Sequence, residues 1–345
     1  MLETTDPAAV IATDEGYDLI ARGILEAVER GPHGIWRMPW HALQGGLPEN
    51  AFSGRRFRST NLLTLVAAAR KKGHRAQLWA PRAQWEKRRG TIRPGEVGTD
   101  ILVPVFAEDG APGKHWNADT PGMQKRLGRF GGDPTGGQDR VMLGFRREPW
   151  FNIEQVSGVE IREPCLPSPS RAAEALLALL ASWRERPTGR RGPALLHGGH
   201  QAYWNPATDQ VMSPPMQAYG DHDGLSGLEY YATTVTHEHI HSTGSKNRLN
   251  RQSLQQYGTK TGRAKEEMVA ELGAAFLCGR FGLGTALRPD HALYVDSWLS
   301  SLTDRTQRKA FFWAVKEAEK AADFVIAQTS GTVTQDGRAA GGRTA

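Results

Sequence analysis

Two histidines four residues apart, followed by two glutamates four residues apart, constrain the fold of this sequence more than any other feature. The histidines are His237 and His241 in THEHIHSTG, and the glutamates are Glu267 and Glu271 in KEEMVAELGAAF. Side chains four residues apart in a helix lie on one face, about one turn apart. The chain is therefore expected to pack two helices together so that Glu267 meets both histidines.

Two imidazoles and one carboxylate are a typical ligand set for a catalytic zinc ion, which keeps one coordination position open. The predicted metal ligands are His237, His241 and Glu267, with one Zn²⁺ per chain, or Mn²⁺ or another divalent ion in its place. Glu238 lies one step round the helix, where it can act as the catalytic base that takes a proton from the attacking water. Glu271 is expected to accept the N–H of a ligating imidazole.

Other side chains near these helices are expected to play no part in metal binding. His239 lies two residues from each predicted ligand and points elsewhere, so it is expected to be a non-ligand, or at most a pocket-lining residue. Glu266 is expected to be exposed to solvent on another face of its helix. The alternative for the whole cluster is a helix end before Gly244, where the histidines cap carbonyls and the acids are solvated.

The chain is long enough for two hydrophobic cores, since it has 345 residues, of which 39% are hydrophobic. It contains no run of 18 apolar residues and no signal-peptide core, so neither a membrane partner nor secretion is expected. Cys165 and Cys278 are too few for a disulfide framework and are expected to be reduced and packed. These features favour a cytoplasmic protein.

The order of predicted elements indicates an α+β protein with two domains. In the N-terminal part, helices are predicted over 15–30 and over 60–72, the second capped by Ser59 and ended by Gly73. Strands are predicted over Thr99–Phe106 and 148–156. The Gly-rich segment 107–140 between these strands is predicted to be a long flexible excursion.

A proline-rich stretch, REPCLPSPSR, marks the predicted domain boundary. The predicted ranges are 1–161 for the N-terminal domain, 162–170 for the linker, 171–327 for the C-terminal domain and 328–345 for a disordered tail. Ser170 is expected to cap the first helix of the second domain. A strand pair turning at 205–209, the two helices with the predicted metal ligands and a closing pair of helices follow.

The basic charge of the chain is concentrated in one segment. Between Gly54 and Arg93 there are twelve Lys or Arg residues and one acid, which gives +11 in a chain whose net charge is +6. Such a patch neutralises phosphates, and interleaved aromatic side chains stack on unpaired bases, so single-stranded DNA is the predicted partner. The predicted DNA-binding residues are Arg55, Arg56, Arg58, Arg75, Arg82, Lys87, Arg88 and Arg89, with Trp79 and Trp85 as stacking platforms. The alternative for each residue is a solvated charge or a core aromatic.

Both halves of the sequence resemble the ArdC-type antirestriction proteins of plasmids and other mobile elements. The similarity lies in PENAFSGRRFRSTNLLTL, HRAQLWAPRAQWEKRRGTIRPGEVGT, QAYWNPATDQVMSPP, THEHIHSTG and KEEMVAELGAAFL. The resemblance implies a single-stranded-DNA-binding domain followed by a zincin-like metallopeptidase domain, with metal ligands His237, His241 and Glu267 and a catalytic Glu238. The sequence departs from the family pattern at His239, where a small apolar residue is usual. It also departs in the length of the 107–140 excursion, which is longer than expected for the family.

Two functions are therefore compatible with the sequence. In the first, an antirestriction protein of a mobile element binds single-stranded DNA and hydrolyses an unknown protein substrate, such as a host defence or restriction component. In the alternative, a non-catalytic protein coats and protects single-stranded DNA, and its metal serves only the fold. Glu238→Gln separates the two, because it abolishes the first function and leaves the second intact.

Overall fold

The computed structural model describes residues 10–11, 13–30, 36–41, 43–106, 142–160, 166–185, 191–286, 298–299, 302–304 and 308–329. The predicted excursion at 107–140, the first half of the predicted linker, Cys165 and the tail beyond residue 329 lie outside the described residues. So does most of the first helix of the predicted closing pair.

Short strands and three helices make up the N-terminal half. The helices are α1 (Thr13–Glu26), α2 (Ser59–Lys72) and α3 (Arg82–Lys87), and 3₁₀ turns occur at Pro39–His41, Leu43–Gly45 and Ile153–Gln155. The strands are β1 (Val10–Ile11), β2 (Glu29–Arg30), β3 (Trp36–Arg37), β4 (Glu49–Asn50), β5 (Leu78–Pro81), β6 (Thr91–Ile92), β7 (Thr99–Phe106), β8 (Met142–Asn152) and β9 (Val156–Ser157). The main sheet has the order β1-β8-β5-β4, with β7 also paired to β8.

The C-terminal half consists mainly of helices beside one small sheet. The helices are α4 (Pro169–Arg184), α5 (Gly227–Thr243), α6 (Gln252–Gln255), α7 (Lys260–Gly279) and α8 (Arg308–Thr329), with a 3₁₀ turn at Met216–Ala218. The strands β10 (Ala194–His197), β11 (Tyr203–Asn205) and β12 (Gln210–Ser213) form a sheet in the order β10-β12-β11. The antiparallel β11–β12 pair turns where the sequence predicted it.

Helix capping differs from the prediction at two starts and agrees at one end. Ser59 is the first residue of α2, and Arg58 occupies the N-cap position without a side-chain bond. Ser168, not Ser170, caps α4, because its hydroxyl accepts the N–H of Arg171 and Pro169 suits the first helical turn. Gly73 ends α2 in the left-handed conformation, as predicted.

The strand predicted over 148–156 begins earlier and ends earlier than expected. It runs from Met142 to Asn152 and pairs with β7, whose predicted bounds, Thr99–Phe106, are confirmed. The strand ends at Asn152 because this residue forms a capping box with Gln155, and the backbone turns into a 3₁₀ helix there.

One hydrophobic core extends across both halves of the chain. Ile24 of α1 and Leu63 of α2 belong to the same buried cluster as Leu176 of α4, Val269 of α7 and Phe311 of α8. Two smaller clusters lie under the main N-terminal sheet. The N-terminal helices are therefore packed directly on the helices that carry the predicted metal ligands.

Two further expectations concern membrane spans and thiols. Among the helices of the described residues, none combines the length and the apolar character that crossing a bilayer requires. Cys278 is a buried free thiol, as predicted, and burial raises its pKa well above the ordinary value.

Candidate metal centre and basic surface

Helix α5 places His237 and His241 on one face, one turn apart. The helix begins at a capping box formed by Ser226 and Glu229, which sets its start ten residues before His237. Both imidazoles are buried, and their Nε2 atoms lie 3.1 Å apart. Two buried ring nitrogens at this distance can point at one common ion.

Helix α7 brings the third predicted ligand to the same point. Oε2 of Glu267 lies 3.5 Å from Nε2 of His237 and 3.5 Å from Nε2 of His241. A tetrahedral ion with bonds of about 2.0–2.2 Å holds its ligand atoms about 3.3–3.6 Å apart. The three atoms are therefore spaced like three corners of such a coordination shell, and in the described residues they form a candidate metal-binding group.

Tyr257 lies beside this triad and was not predicted. Its hydroxyl donates to Oε1 of Glu267 at 2.5 Å, which leaves Oε2 facing the histidines. The guanidinium of Arg263 lies 5.2 Å from the centre of the Tyr257 ring. Tyr257 thus holds the Glu267 carboxylate in the orientation that ligation requires.

Glu266 contradicts its prediction, because it is fully buried instead of exposed to solvent. Its Oε1 atom lies 3.2 Å from Nδ1 of His241, on the ring edge away from the triad. The prediction failed because every residue of α7 from Glu266 to Gly279 is buried, so this part of the helix has no solvent face. Glu266 therefore orients His241, a role predicted only for Glu271.

Arg251 is buried, compensates the charge of Glu266 and caps the C-terminal end of α5. Nη2 and Nε of Arg251 donate to the two oxygens of Glu266 at 2.5 and 3.1 Å. Nη2 also donates to the carbonyl oxygen of Ile240 at 3.0 Å, and Nη1 donates to Oγ1 of Thr243 at 2.6 Å. One guanidinium therefore both pairs with a buried carboxylate and donates to a backbone carbonyl at the C-terminal end of α5.

Glu271 lies near the other predicted ligand histidine. Its Oε2 atom is 3.8 Å from Nδ1 of His237, and its Oε1 atom accepts a hydrogen bond from Nε2 of His41 at 2.7 Å. The first distance is too long for a hydrogen bond but places the carboxylate on the expected edge of the ring. His41 comes from the N-terminal half, and no local sequence pattern predicts its place at this site.

Burial and nearby charges shift the pKa values of His241 and Glu267 in opposite directions. Burial lowers the pKa of His241, but Glu267 and Glu266 outweigh it and raise that pKa to about 10. Burial raises the pKa of Glu267, and the neighbouring His241 and His237 reverse this and hold it well below the ordinary value. Without a metal, the triad therefore holds a protonated imidazole against a carboxylate.

Glu238 and His239 occupy the positions expected from helical spacing. Glu238 is only 4% exposed and close enough to contribute to the raised pKa of His241. His239 faces away from the triad, with Nδ1 2.7 Å from the carbonyl oxygen of Val235 and its ring 6.1 Å from Trp183. Burial lowers the pKa of His239 to about 4, which keeps this imidazole neutral.

The predicted phosphate-binding side chains lie on the surface of the N-terminal half. All eight are exposed, namely Arg55, Arg56, Arg58, Arg75, Arg82, Lys87, Arg88 and Arg89. Arg82 forms an exposed pair with Glu86 at 3.6 Å. Arg58 pairs with Glu319 at 2.9 Å and with Asp323, both on α8, so it also connects the two halves of the chain.

The prediction that Trp79 and Trp85 stack on bases is wrong. Both indoles are fully buried, and Nε1 of Trp85 donates to the carbonyl oxygens of Ala80 and Phe151 at 2.9 and 3.1 Å. The sequence could not distinguish a core tryptophan from a binding platform, because both occur among basic residues. Phe52 is only partly buried and has the guanidinium of Arg88 5.6 Å from its ring centre.

Two family models match the chain, one in each half. The N-terminal domain of the anti-restriction factor ArdC matches residues 14–127, and the zincin-like metallopeptidase model matches residues 185–317. The uncharacterized protein y4eC of Sinorhizobium fredii (strain NBRC 101917 / NGR234) is 32% identical over 331 residues, covering 95% of this chain and 96% of that protein. The chain belongs to the ArdC-type antirestriction family.

Solved structures and a longer relative extend this assignment. The crystal structures of the antirestriction ArdC protein from plasmid R388, one metal-free and one Mn(II)-bound, each superpose with a TM-score of 0.64 at 23% identity. They cover 92% of this chain and 99% of the ArdC chain, which shows a common fold. A DNA primase TraC of Escherichia coli is 28% identical over 322 residues, and the match spans 27% of its length.

The ArdC-type assignment confirms the predicted α+β fold with two domains. The predicted linker at 162–170 lies between the two matched ranges. In this ArdC-type chain, His41 falls in the range of the N-terminal model, whereas the metal triad and Glu271 fall in the zincin-like range. The contact between His41 and Glu271 therefore joins the two domains at the candidate metal centre.

Proposed function

We propose that this ArdC-type protein binds single-stranded DNA and hydrolyses peptide bonds at a divalent metal site. The observation that carries the proposal is the triad of ligand atoms 3.1, 3.5 and 3.5 Å apart on two packed helices. His237, His241 and Glu267 would hold the ion. Two imidazoles and one carboxylate favour Zn²⁺, with Mn²⁺ as the alternative.

When bound, the ion supplies Lewis acidity to a substrate carbonyl and makes a water molecule easier to deprotonate. The carboxylate of Glu238 takes the proton from that water and later delivers it to the leaving amine. Glu266 would hold His241 from behind and Tyr257 holds Glu267, while Glu271 lies beside His237 at 3.8 Å from Nδ1. These groups keep the ligand atoms in place, so that little reorganisation is needed during the reaction.

The DNA part of the proposal depends on exposed charges without an acidic partner. Arg55, Arg75, Lys87, Arg88 and Arg89 form no ion pair within the described residues, so phosphates can pair with them without displacing an acid. Phe52, partly exposed beneath Arg88, replaces the buried tryptophans as the proposed stacking surface. Localisation of the peptidase on DNA would bring it close to proteins that act on that DNA.

A second function, protection of single-stranded DNA with a purely structural metal, is favoured by the enclosure of the site. His237, Glu238, His241 and Glu267 are all less than 10% exposed. The cavity that reaches His237, lined also by Thr234, holds only about 10 Å³, the space of about one water molecule. A structural metal needs only this enclosure, whereas peptide hydrolysis also needs a substrate to reach Glu238.

Glu238→Gln tests the catalytic function against the structural one. The variant should bind one ion per chain like the wild type, because Glu238 is not among the ligands. With the protein loaded with Zn²⁺ or with Mn²⁺, its rate of cleaving fluorescein-labelled casein should fall by about 10²-fold or more. Protection of transferred DNA in cells should fall in parallel. Glu174→Gln, at an exposed acid on α4 away from the basic surface, is the control and should behave like the wild type.

Full protection of transferred DNA by Glu238→Gln would reject the peptidase mechanism and support the structural metal. Failure of the wild type to bind any divalent ion after purification without chelator would reject both. Casein cleavage that Glu238→Gln leaves unchanged would assign the activity to a contaminant or to another residue.

The salt dependence of DNA binding tests the proposed basic surface. Replacing Lys87 and Arg88 by alanine removes two phosphate contacts, so the slope of log Kd against log salt should fall by about 1.4 for single-stranded DNA. Fluorescence anisotropy with a labelled 30-nucleotide strand measures it. Lys320→Ala, an exposed lysine paired with Glu317 on α8, is the control and should leave the slope unchanged. An unchanged slope in the double variant would exclude this surface.

A further inference from the structure

His41 reaches the candidate metal centre from the other domain. It ends the 3₁₀ turn Pro39–His41, and its imidazole is buried. Nδ1 of His41 accepts the backbone N–H of Met38 at 3.4 Å, which leaves the proton on Nε2. Nε2 therefore donates to Oε1 of Glu271, at 2.7 Å.

The other oxygen of Glu271 faces a predicted ligand. Oε2 lies 3.8 Å from Nδ1 of His237, whose Nε2 points into the triad. A carboxylate behind a ligating histidine fixes the ring orientation and increases the basicity of the ring. Because Glu271 is itself buried, its carboxylate needs donors to stay charged and in place, and His41 supplies one.

The segment around His41 is held rigidly against the zincin-like domain. The carbonyl oxygen of His41 accepts the N–H of Thr285 at 3.1 Å, just beyond α7. Gly279 of α7 packs so closely on this segment that an added Cβ would lie 2.8 Å from Leu47 and 3.0 Å from Leu43. The backbone bond and this close packing fix the position of the imidazole relative to Glu271.

From these contacts we infer that His41 is a positioning residue of the metal centre, supplied by the N-terminal domain. It acts through Glu271, which it holds against His237, so the N-terminal domain contributes to metal affinity as well as to the proposed DNA binding. The inference rests on the proposed metal site. It concerns affinity for the ion and does not depend on whether the protein cleaves peptides.

The experiment compares His41→Ala with His41→Gln in the full chain. The amide nitrogen of glutamine can occupy the position of Nε2 and donate to Glu271, whereas alanine cannot. Ile24→Ala is the control, because Ile24 is buried in α1, away from the segment around His41, and its loss removes packing but not the donor to Glu271. The Kd for Zn²⁺ and for Mn²⁺ is measured by competition with a chromogenic chelator, and thermal unfolding in EDTA reports the loss of packing.

We expect His41→Ala to raise the metal Kd by roughly 10-fold, the lower end of the effect of losing a partner directly behind a ligand, because His41 acts through Glu271. His41→Gln should stay within about threefold of the wild type by the same reasoning. Ile24→Ala should lower the melting temperature in EDTA while its Kd stays close to the wild-type value. This pattern would separate the hydrogen bond from general packing.

Three results would overturn the inference: a wild-type Kd for His41→Ala, an equal loss for Ile24→Ala, or a His41→Gln variant as weak as the alanine variant. A wild-type chain that binds neither ion would instead reject the proposed metal site, and the inference with it. The two failures are distinguishable, because only the second is seen in the wild type.

Discussion

Two adjacent glutamates of α7 have different roles, and their partners explain the difference. Glu267 faces the two histidines, whereas Glu266, about 100° further round the helix, meets Arg251. Burial raises the pKa of Glu266, but the charge of Arg251 outweighs it and lowers that pKa to about 2. Stability from this depressed pKa is complete above the ordinary value of 4.5 and is lost as the pH falls towards 2.

At the residue scale, Glu266→Gln should destabilise the protein strongly even without metal. The substitution keeps the shape but leaves the buried guanidinium of Arg251 without its carboxylate. Breaking one side of a buried ion pair costs about 3–5 kcal/mol. Urea unfolding in the presence of EDTA measures the change in the free energy of unfolding.

Glu86→Gln provides the comparison at the surface. Glu86 pairs with Arg82 in the open, and both side chains are more than half exposed, so the loss should stay below about 1 kcal/mol. An equally small effect for Glu266→Gln would mean that the Arg251 pair contributes little to stability.

At the scale of elements, the metal triad depends on how closely α5 and α7 approach each other. Gly273 lies at the crossing, and an added Cβ there would come within 2.7 Å of Cγ2 of Ile240. Ile240 lies between His239 and His241, so a shift of this contact moves the ligand-bearing turn of α5. The absence of a side chain at Gly273 lets Glu267, six residues earlier on α7, stay within 3.5 Å of both histidines.

Gly273→Ala should therefore destabilise the fold and weaken metal binding. Overpacking of a filled core costs about 1–3 kcal/mol, although alanine is the better helix former. Gly23→Ala is the matched control, since Gly23 also lies inside a helix and has open space around its Cβ direction. The control should gain roughly 0.5–1 kcal/mol. Chemical unfolding and chelator competition measure stability and metal affinity in both variants. A stabilising effect of Gly273→Ala would contradict the expected overpacking.

At the scale of the whole molecule, the two domains share one large hydrophobic cluster and several polar connections. Ile24 and Leu63 pack in the same cluster as Val269 and Phe311. Arg58 pairs with α8, Asp18 of α1 pairs with Arg308, and His41 bonds to Glu271. The N-terminal domain therefore covers part of the core of the zincin-like domain, in addition to burying two smaller clusters of its own.

The shared core predicts that both domains unfold in a single cooperative transition. Calorimetry of the full chain in EDTA should show one peak. Saturation with Zn²⁺ at about 100 times its Kd should add roughly 2.7 kcal/mol and move the whole peak upward. Two separate peaks, or a shift confined to part of the transition, would show that the domains are independent units.

Local pattern was enough to predict α2, the strand Thr99–Phe106 and the side chains that meet in the triad, whereas the helix predicted over 15–30 ends at Glu26 and α3 was not predicted. A spacing of four residues fixes the relative positions of two side chains in a helix, so His237 and His241 could be placed without knowing the fold. The basic segment was also evident from composition, and its predicted cations are exposed.

Other features depended on contacts between residues far apart in the chain, which no local pattern encodes. Trp79 and Trp85 were predicted as binding platforms and are core, and Glu266 was predicted as solvated and is paired with Arg251, because burial is decided by what packs over a side chain. His41 reaches Glu271 across 230 positions. The sequence by itself determined the chemistry available on α5 and α7, whereas the packing of the N-terminal domain on those helices decided which groups support it.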